Sequence, residues 1–446
     1  MSDQITQAQL AAHWMPYTGN REFKKDPRII VEAKDRYYTD DKGRKIFDGL
    51  SGLWTCGLGH GREEITQAVS QQIAKLDYSP AFQFGHPGSF QLAEKVTEFM
   101  PDGMNKVFFT GSGSESVDTA LKMARAYWRQ KGHSSKTKLI GRNLGYHGVN
   151  FGGISVGGIG ANRKLFGQAV DSSHMSATLL KENAFSRGLP EHGLDLANEL
   201  ESHVAIYDAS NIAAVIVEPM SGSAGVIVPP AGYLKRLREI CDKHDILLIF
   251  DEVITAFGRI GAKTGSEYFD VKPDIITIAK QLTNGTVPMG AVVADEQIYD
   301  TFMQAGGPGY MLELPHGYTY SAHPVACAAG LAALDVLQRD KLIERVADIA
   351  PYYEEAAHSL KGTPFLEDIR NLGLAAGFTI ESYPGEPARR PYEIAMKMWE
   401  KGFYVRYGGN CIALAPSFTV EKEEIDTLMN AFADTLTELN KQRKAA

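Results

Sequence analysis

Cysteine is scarce in this chain of 446 residues, which has four. Cys56, Cys241, Cys327 and Cys411 stand far apart and form no Cys-x-x-Cys pair. That argues against a disulfide framework and against a zinc site, and it suits reduced thiols in a cytoplasmic protein. Long apolar runs are missing as well. The longest, Val325 to Leu334, is about half of the roughly 20 residues a membrane-spanning helix needs. It is rich in alanine, so a closely packed helix is expected there. The opening residues, Met-Ser-Asp-Gln-Ile-Thr-Gln, have no basic run followed by an apolar stretch, and no signal peptide is expected. A strong excess of one charge is absent too. The formal net charge of -8 argues against a nucleic-acid surface, and no basic arm is visible. There is no internal repeat and no low-complexity linker.

What is present is an ordinary globular composition, with 44% apolar residues and a length that allows two or three domains. Arg28 to Asp48 reads as β structure with a turn at Asp41-Lys42-Gly43. Glu63 to Leu76 has apolar residues at helical spacing. From about residue 100, short apolar runs alternate with helical stretches. Lys106 to Thr110, Ala213 to Val217, Ile246 to Phe250, Asp274 to Ala279 and Gly290 to Ala294 read as strands buried on both faces. An α/β fold with a mostly parallel sheet covered by helices follows. After about residue 320, helices at Pro324 to Gln338 and Ile343 to Leu360 precede short strands at Leu374 to Ile380, Phe403 to Tyr407 and Cys411 to Ala415. A helix from Lys422 closes the chain. This second part reads as a smaller α+β domain, which the N-terminal hairpin could join. The expected division is 61–319 for the large domain, with 1–60 and 320–446 forming the small one.

Three groups carry chemistry. Thr110-Gly-Ser-Gly-Ser-Glu115 lies between a strand and a helix, where free N–H groups and serine hydroxyls favour an anion such as phosphate. A serine-capped turn without a ligand is the simpler reading. It is neither a Walker loop nor a dinucleotide fingerprint, which leaves a nicotinamide enzyme poorly supported. Another glycine-rich stretch, Gly152 to Gly160, is expected to be a loop. Asp251 ends a buried strand at the edge where open α/β sheets bind ligands. A carboxylate there needs donors or a cation, whether a helix cap, an ion pair or a protonated pyridine. Lys280 ends the next apolar run. It is either a solvated surface group or a desolvated amine able to attack an aldehyde. Together, a phosphate cradle, an acid and an amine match the anchors that pyridoxal phosphate (PLP) requires.

At these residues the chain resembles the class III aminotransferases, a subgroup of fold-type I PLP enzymes. The likeness spans nearly the whole chain. It rests on Gly111-Ser-Gly-Ser-Glu115, Ile249-Phe-Asp-Glu-Val253, Ala279-Lys280 and His316-Gly-Tyr-Thr-Tyr-Ser-Ala-His-Pro324. The resemblance implies that Lys280 carries the cofactor as a Schiff base and shuttles the proton. It implies that Asp251 holds the ring nitrogen, and that Ser112, Gly113 and Ser114 hold the phosphate. Val253 and Tyr146, the latter in Tyr146-His147-Gly148, would take the two ring faces. Glu218 would lie beside the site and influence an arginine. Thr319 would reach the phosphate of a neighbouring subunit, which makes a homodimer with shared active sites. Within the family, Ser51-Gly-Leu-Trp54 and Val405-Arg-Tyr-Gly-Gly409 are similar to the ω-amino acid–pyruvate (β-alanine–pyruvate) aminotransferases. Arg406 then offers a bidentate fork to pyruvate's carboxylate, with Trp54 and Phe82 as apolar walls. A 2-oxoglutarate user would need a second cation, for which Arg21 and Arg36 are available. A dialkylglycine-type decarboxylase, an aminomutase and a racemase are the other chemistries this framework supports.

Overall fold

A computed structural model describes residues 5–445. Its centre is a seven-stranded sheet in the order Lys106–Thr110, Gly290–Ala294, Ile275–Ile278, Leu247–Asp251, Ile212–Val217, Lys138–Arg142, Ser172–Met175. All adjacent pairs are parallel except those made by Gly290–Ala294, which runs antiparallel to both neighbours. Every residue of Ile212–Val217, Leu247–Asp251, Ile275–Ile278 and Gly290–Ala294 is buried. That is why these strands read as continuous apolar runs rather than alternating ones. Helices cover the sheet. On one face, Gly113–Gln130 packs Val117, Leu121, Ala124 and Trp128 against strand residues such as Ile216 and Ile249. It starts at Gly113, inside the glycine-serine stretch, because the Ser112 side chain caps it by accepting from the Glu115 N–H at 3.2 Å. The alanine-rich stretch is the helix Pro324–Arg339, with proline in its first turn. Its small side chains let it lie close: a Cβ on Gly330 would sit 3.0 Å from Leu92.

Two four-stranded sheets flank this unit. In one, Ile30–Lys34, Tyr37–Asp40 and Lys45–Asp48 form a meander, and Phe403–Tyr404 adds in parallel to the last strand. The two chain ends therefore meet in one sheet, and Arg36 pairs with Glu424 at 2.8 Å across them. The other sheet runs Leu366–Leu372, Ala375–Ile380, Cys411–Leu414, Arg406–Gly408, antiparallel throughout. The strands Leu366–Leu372, Lys138–Arg142 and Ser172–Met175 escape the sequence reading. The first, Leu-Glu-Asp-Ile-Arg-Asn-Leu, mixes charge with apolar residues, and its buried Asp368 and Arg370 neutralise each other. No helix among the described residues is long and apolar enough to cross a membrane.

The stretch Gly152 to Gly160 is not a loop. It holds the helix Phe151–Val156 and the start of a second, Gly160–Phe166. Ile154 and Val156 anchor the first in the interior, and the Asp118 carboxylate accepts the Gly153 N–H at 2.9 Å. The glycines serve close approach: a Cβ on Gly153 would overlap the His147 carbonyl.

Candidate active site

The site forms where the central strands end. Asp251 is the last residue of Leu247–Asp251 and pairs in register with Thr277 on the neighbouring strand. It is buried, at 6% exposure. Its Oδ1 accepts from the Thr277 hydroxyl and the Val253 N–H, both at 3.2 Å. Its Oδ2 meets His147 Nδ1 at 2.8 Å. A buried carboxylate with three partners is held in one orientation rather than left as an uncompensated charge.

Lys280 lies three residues beyond Thr277, where the chain leaves the same sheet edge. It opens the short 3-10 turn Lys280–Thr283 with φ of 49°. A left-handed conformation is costly for a residue with a Cβ, by about 1–2 kcal/mol. Strain of this kind collects at functional sites. The turn aims the ammonium back into the protein. Burial drives its pKa down to about 8, although Asp251 and Glu218 pull the other way, and the Arg406 guanidinium lowers it further. The result is an amine that is neutral in part near physiological pH.

Beside this pair stands the helix start. Among the described residues, the N–H groups of Gly113 and Ser114 have no acceptor, as expected of a first helical turn. They open an anion nest at the positive end of an 18-residue helix. A Cβ on Gly113 would lie 3.1 Å from both methyls of Val253, so the nest and the turn after Asp251 are in contact. Glu115 is turned back, its carboxylate accepting the Gly111 N–H at 2.6 Å.

The segment Tyr146-His147-Gly148 closes the other side. The Tyr146 N–H donates to Glu218 Oε1 at 2.9 Å. Gly148 has φ of +85° and presses on Ser114, whose Oγ accepts the Val149 N–H at 3.1 Å. Burial pushes Glu218 up to about 7, against the pull of His147 and with the help of Asp251. Arg142 supports this corner, donating to the Glu218 carbonyl at 2.8 Å and to Ser221 Oγ at 2.9 Å. Burial, Tyr17 and Asp251 raise the Tyr146 phenol further from ionisation, while Arg406 opposes them.

Lys280, Asp251, Ser112, Gly113, Ser114, Val253, Tyr146, His147 and Glu218 thus come together, and Arg406 is close enough for its charge to be felt at Lys280 and Tyr146. Trp54 is 4% exposed and packs in a cluster with Leu50, Met220, Ile254 and Ala413. Ala413 lies opposite Arg406 in the sheet register. Phe82 and Thr319 are surface residues of the single chain. Phe82 is 53% exposed with its ring against Gly317, and the Thr319 carbonyl accepts from Tyr78 at 3.0 Å. Arg36 does not serve as a second cation, since Glu424 and the Thr419 carbonyl occupy it. Sequence reasoning missed Thr277, and it named His147 beside the cofactor without foreseeing its bond to Asp251. Thr277, the lone hydroxyl in a buried apolar strand, was the available signal. For the His147 bond there was none.

PLP fits these residues. They offer an amine of lowered pKa, a fixed carboxylate and an open anion nest at one sheet edge. Buried His147 Nε2 has no partner among the described residues, which marks an incomplete polar environment on the same wall.

Comparison with known proteins agrees. The class-III aminotransferase family model matches residues 18–436. The chain is 60% identical to a beta-alanine–pyruvate aminotransferase of Pseudomonas aeruginosa, over 97% of this chain and 96% of that one. It is 57% identical to an omega-amino acid–pyruvate aminotransferase of Pseudomonas putida, over 97% of each. Among solved structures, an amine transaminase from an uncultivated Pseudomonas species in a PLP-bound form has a TM-score of 0.88 and 34% identity, covering 98% of this chain and 100% of that one. A thermostable omega transaminase carrying substitutions at a tryptophan, a phenylalanine and an arginine, engineered for synthesis of enantiopure bulky amines, has a TM-score of 0.91 and 31% identity, covering 98% and 99%.

Proposed function

This chain belongs to the class III aminotransferases, and we propose that it moves the amino group of an ω-amino acid such as β-alanine onto pyruvate, giving an aldehyde and alanine. The observation that carries the reading is the convergence of Lys280, Asp251 and the Gly113–Ser114 nest, in a chain this similar to two pyruvate-using aminotransferases. PLP supplies the carbonyl that takes up the amine and the ring that acts as an electron sink. Lys280 Nζ would carry the cofactor and give way to the incoming amine. It would then move the proton at the carbon bearing that nitrogen. Asp251, fixed by His147 and Thr277, would keep the ring nitrogen protonated. At about 4 Å and an effective dielectric near 20, such an attraction is roughly 4 kcal/mol before desolvation. Gly113, Ser114 and the Ser112 cap would hold the phosphate, with Val253 and Tyr146 on the ring faces. Glu218 would fix Tyr146 through its backbone N–H.

Arg406 would bind the carboxylate of pyruvate, backed by Trp54. The engineered neighbour's tryptophan and phenylalanine have the same separation along the chain as Trp54 and Phe82, which supports both as determinants of amine size. Phe82 and Thr319 would complete the site of a second copy. The exposed rings of Phe82, Phe84, Phe90 and Tyr320 form an apolar surface suited to a homodimer interface. Four free cysteines suit a reducing cytoplasm.

The test is incubation of the PLP-loaded enzyme with β-alanine and pyruvate, with assays for alanine and carbon dioxide. Alanine formation supports the reading. No alanine from any of a panel of ω-amino acids, or carbon dioxide release in step with turnover of one whose product does not decarboxylate by itself, such as 5-aminopentanoate, overturns it.

A further inference from the structure

The turn that carries Lys280 is gripped from outside by the segment that follows Trp54. Asn284 closes this turn. Its N–H donates to the Gln281 carbonyl at 3.0 Å, and the Gly285 N–H donates to the Lys280 carbonyl at 3.2 Å. Both ends of the turn are left-handed, Lys280 at φ of 49° and Asn284 at φ of 50°. Asparagine tolerates that conformation better than most residues with a Cβ. The Asn284 side chain then crosses to a part of the chain more than two hundred positions earlier. Its Oδ1 accepts the Leu58 N–H at 2.9 Å, and its Nδ2 donates to the Gly59 carbonyl at 2.9 Å. Gln281 adds a third bond, its Oε1 accepting the Gly57 N–H at 2.8 Å. Asn284 is 5% exposed. A buried amide is costly unless bonded, and both ends of this one are bonded to the same short segment. The far side of that segment is fixed as well. The Phe418 N–H donates to the Gly57 carbonyl at 2.8 Å, and Asp35 and His60 exchange backbone bonds at 2.6 and 3.0 Å. The fit has no slack. A Cβ on Gly57 would overlap the Gln281 side-chain oxygen, and one on Gly285 would lie 3.0 Å from Thr55.

We propose that Asn284 is a positioning residue for the chemistry at Lys280. Its amide locks the turn onto the segment Gly57 to Gly59, and so fixes where the Lys280 amine stands relative to Asp251, to the nest and to Trp54. This rests on Lys280 carrying PLP, as in the proposed function. Asn284 acts through the backbone of the turn, with Gln281 as a weaker second clasp. The nest and Asp251 are held by other bonds, from Ser112, His147 and Thr277. Loss of the Asn284 amide therefore leaves the noncovalent hold on PLP in place. It spreads the turn over more conformations, and the amine is less often placed to attack.

The test compares Asn284→Gly, which keeps a left-handed backbone without strain and removes the amide, with Asn284→Asp, which keeps the acceptor for Leu58 but sets a second acceptor against the Gly59 carbonyl. Cofactor-free protein is mixed with PLP, and borohydride trapping with peptide mapping gives the rate of covalent capture at Lys280. Equilibrium binding of pyridoxamine phosphate, which has the ring and phosphate but no aldehyde, gives the noncovalent affinity. Both variants should slow capture and lower kcat roughly 5- to 150-fold, the range for two lost hydrogen bonds, with pyridoxamine phosphate affinity within about twofold of wild type. Gln281→Met, which loses one bond, should show the same split with a smaller factor, and it decides the matter if the Asn284 variants do not fold. Thr283→Val is the control. It removes a bond from the same turn to the Val287 carbonyl at 2.6 Å, and it should lower the melting temperature without slowing capture. The proposal fails if folded Asn284→Gly captures PLP as fast as wild type, if pyridoxamine phosphate affinity falls as much as capture does, or if Thr283→Val slows capture equally. Wild type that captures PLP without forming alanine overturns the proposed function alone, and wild type without capture at Lys280 overturns both.

Discussion

Gly148→Ala tests the contact that joins the anion nest to the Tyr146–His147 wall. At φ of +85°, an alanine costs about 1–2 kcal/mol in the backbone alone. Its Cβ would lie 2.5 Å from Ser114 Oγ, 2.7 Å from Ser114 Cα and 2.9 Å from Ser114 Cβ. Rotating the hydroxyl cannot relieve a clash with Cα, so the first helical turn or the loop must move. Overpacking of this kind adds about 1–3 kcal/mol, for a total of roughly 2–5 kcal/mol. Whichever side yields, Ser114 Oγ loses its 3.1 Å bond from the Val149 N–H, and the Gly113 and Ser114 N–H groups of the nest shift with the first turn. A lost hydrogen bond to a charged group is about 1.5–3 kcal/mol, or roughly 10- to 150-fold in PLP affinity. Absorbance titration of cofactor-free protein measures the affinity, and thermal melts of the same samples measure the backbone cost. Gly132→Ala is the control, with φ of +82° and nothing within 4 Å of the added carbon. It should lower the melting temperature slightly and leave PLP affinity unchanged. If Gly148→Ala binds PLP like wild type, or Gly132→Ala weakens it equally, the reasoning is refuted.

Two more outcomes concern the amine and the carboxylate. Cofactor-free protein should capture PLP covalently at a rate that rises as pH rises through about 8, because the attacking Lys280 amine must be neutral and its pKa is lowered to that value; borohydride trapping followed by peptide mapping measures this, and a rate flat from pH 6 to 10 contradicts it. Arg406→Ala should raise the KM for pyruvate about 10- to 100-fold, the range expected for a lost charged bidentate contact; it should also move the capture midpoint upward, since Arg406 lowers the Lys280 pKa, whereas Arg406→Lys should keep the midpoint and recover only part of the KM.

The buried strands were legible because burial on both faces leaves an unbroken apolar run, and Asp251 and Lys280 were legible because each interrupts one. A run such as Ile-Ile-Thr-Ile also exposes its odd member, Thr277, to anyone asking why a hydroxyl is there. His147 is different. Its bond to Asp251 joins residues 104 apart, and the spacing carries no signal for it. The glycines of 152–160 misled for a physical reason. Glycine density marks either freedom to bend or close approach of two backbones, and here the second held. Ser172–Met175 was hidden because a four-residue edge strand with two serines and a histidine lacks both the apolar run and the alternation. Arg36 was open as a substrate cation only while Glu424, at the far end of the chain, was out of view.

The same long-range closure explains why the N-terminal segment matters to chemistry at position 280. Lys280 holds a left-handed backbone conformation, with φ of 49°, that a residue with a Cβ disfavours. The turn Cys56 to Gly59 helps to hold it, through Gln281 and Asn284. Arg259 ties the same turn to the other flanking sheet region, donating to Ser51 Oγ at 3.0 Å and to the Leu374 carbonyl at 3.1 Å. With each net hydrogen bond near 0.5–1.5 kcal/mol, three such bonds are enough to offset the roughly 1–2 kcal/mol of a left-handed lysine. An aminotransferase whose nucleophile is held this way is sensitive to changes far from its substrate. Loosening the Cys56 turn should raise the cost of aiming Lys280 before it disturbs the nest or Asp251, so kcat should fall while PLP affinity holds.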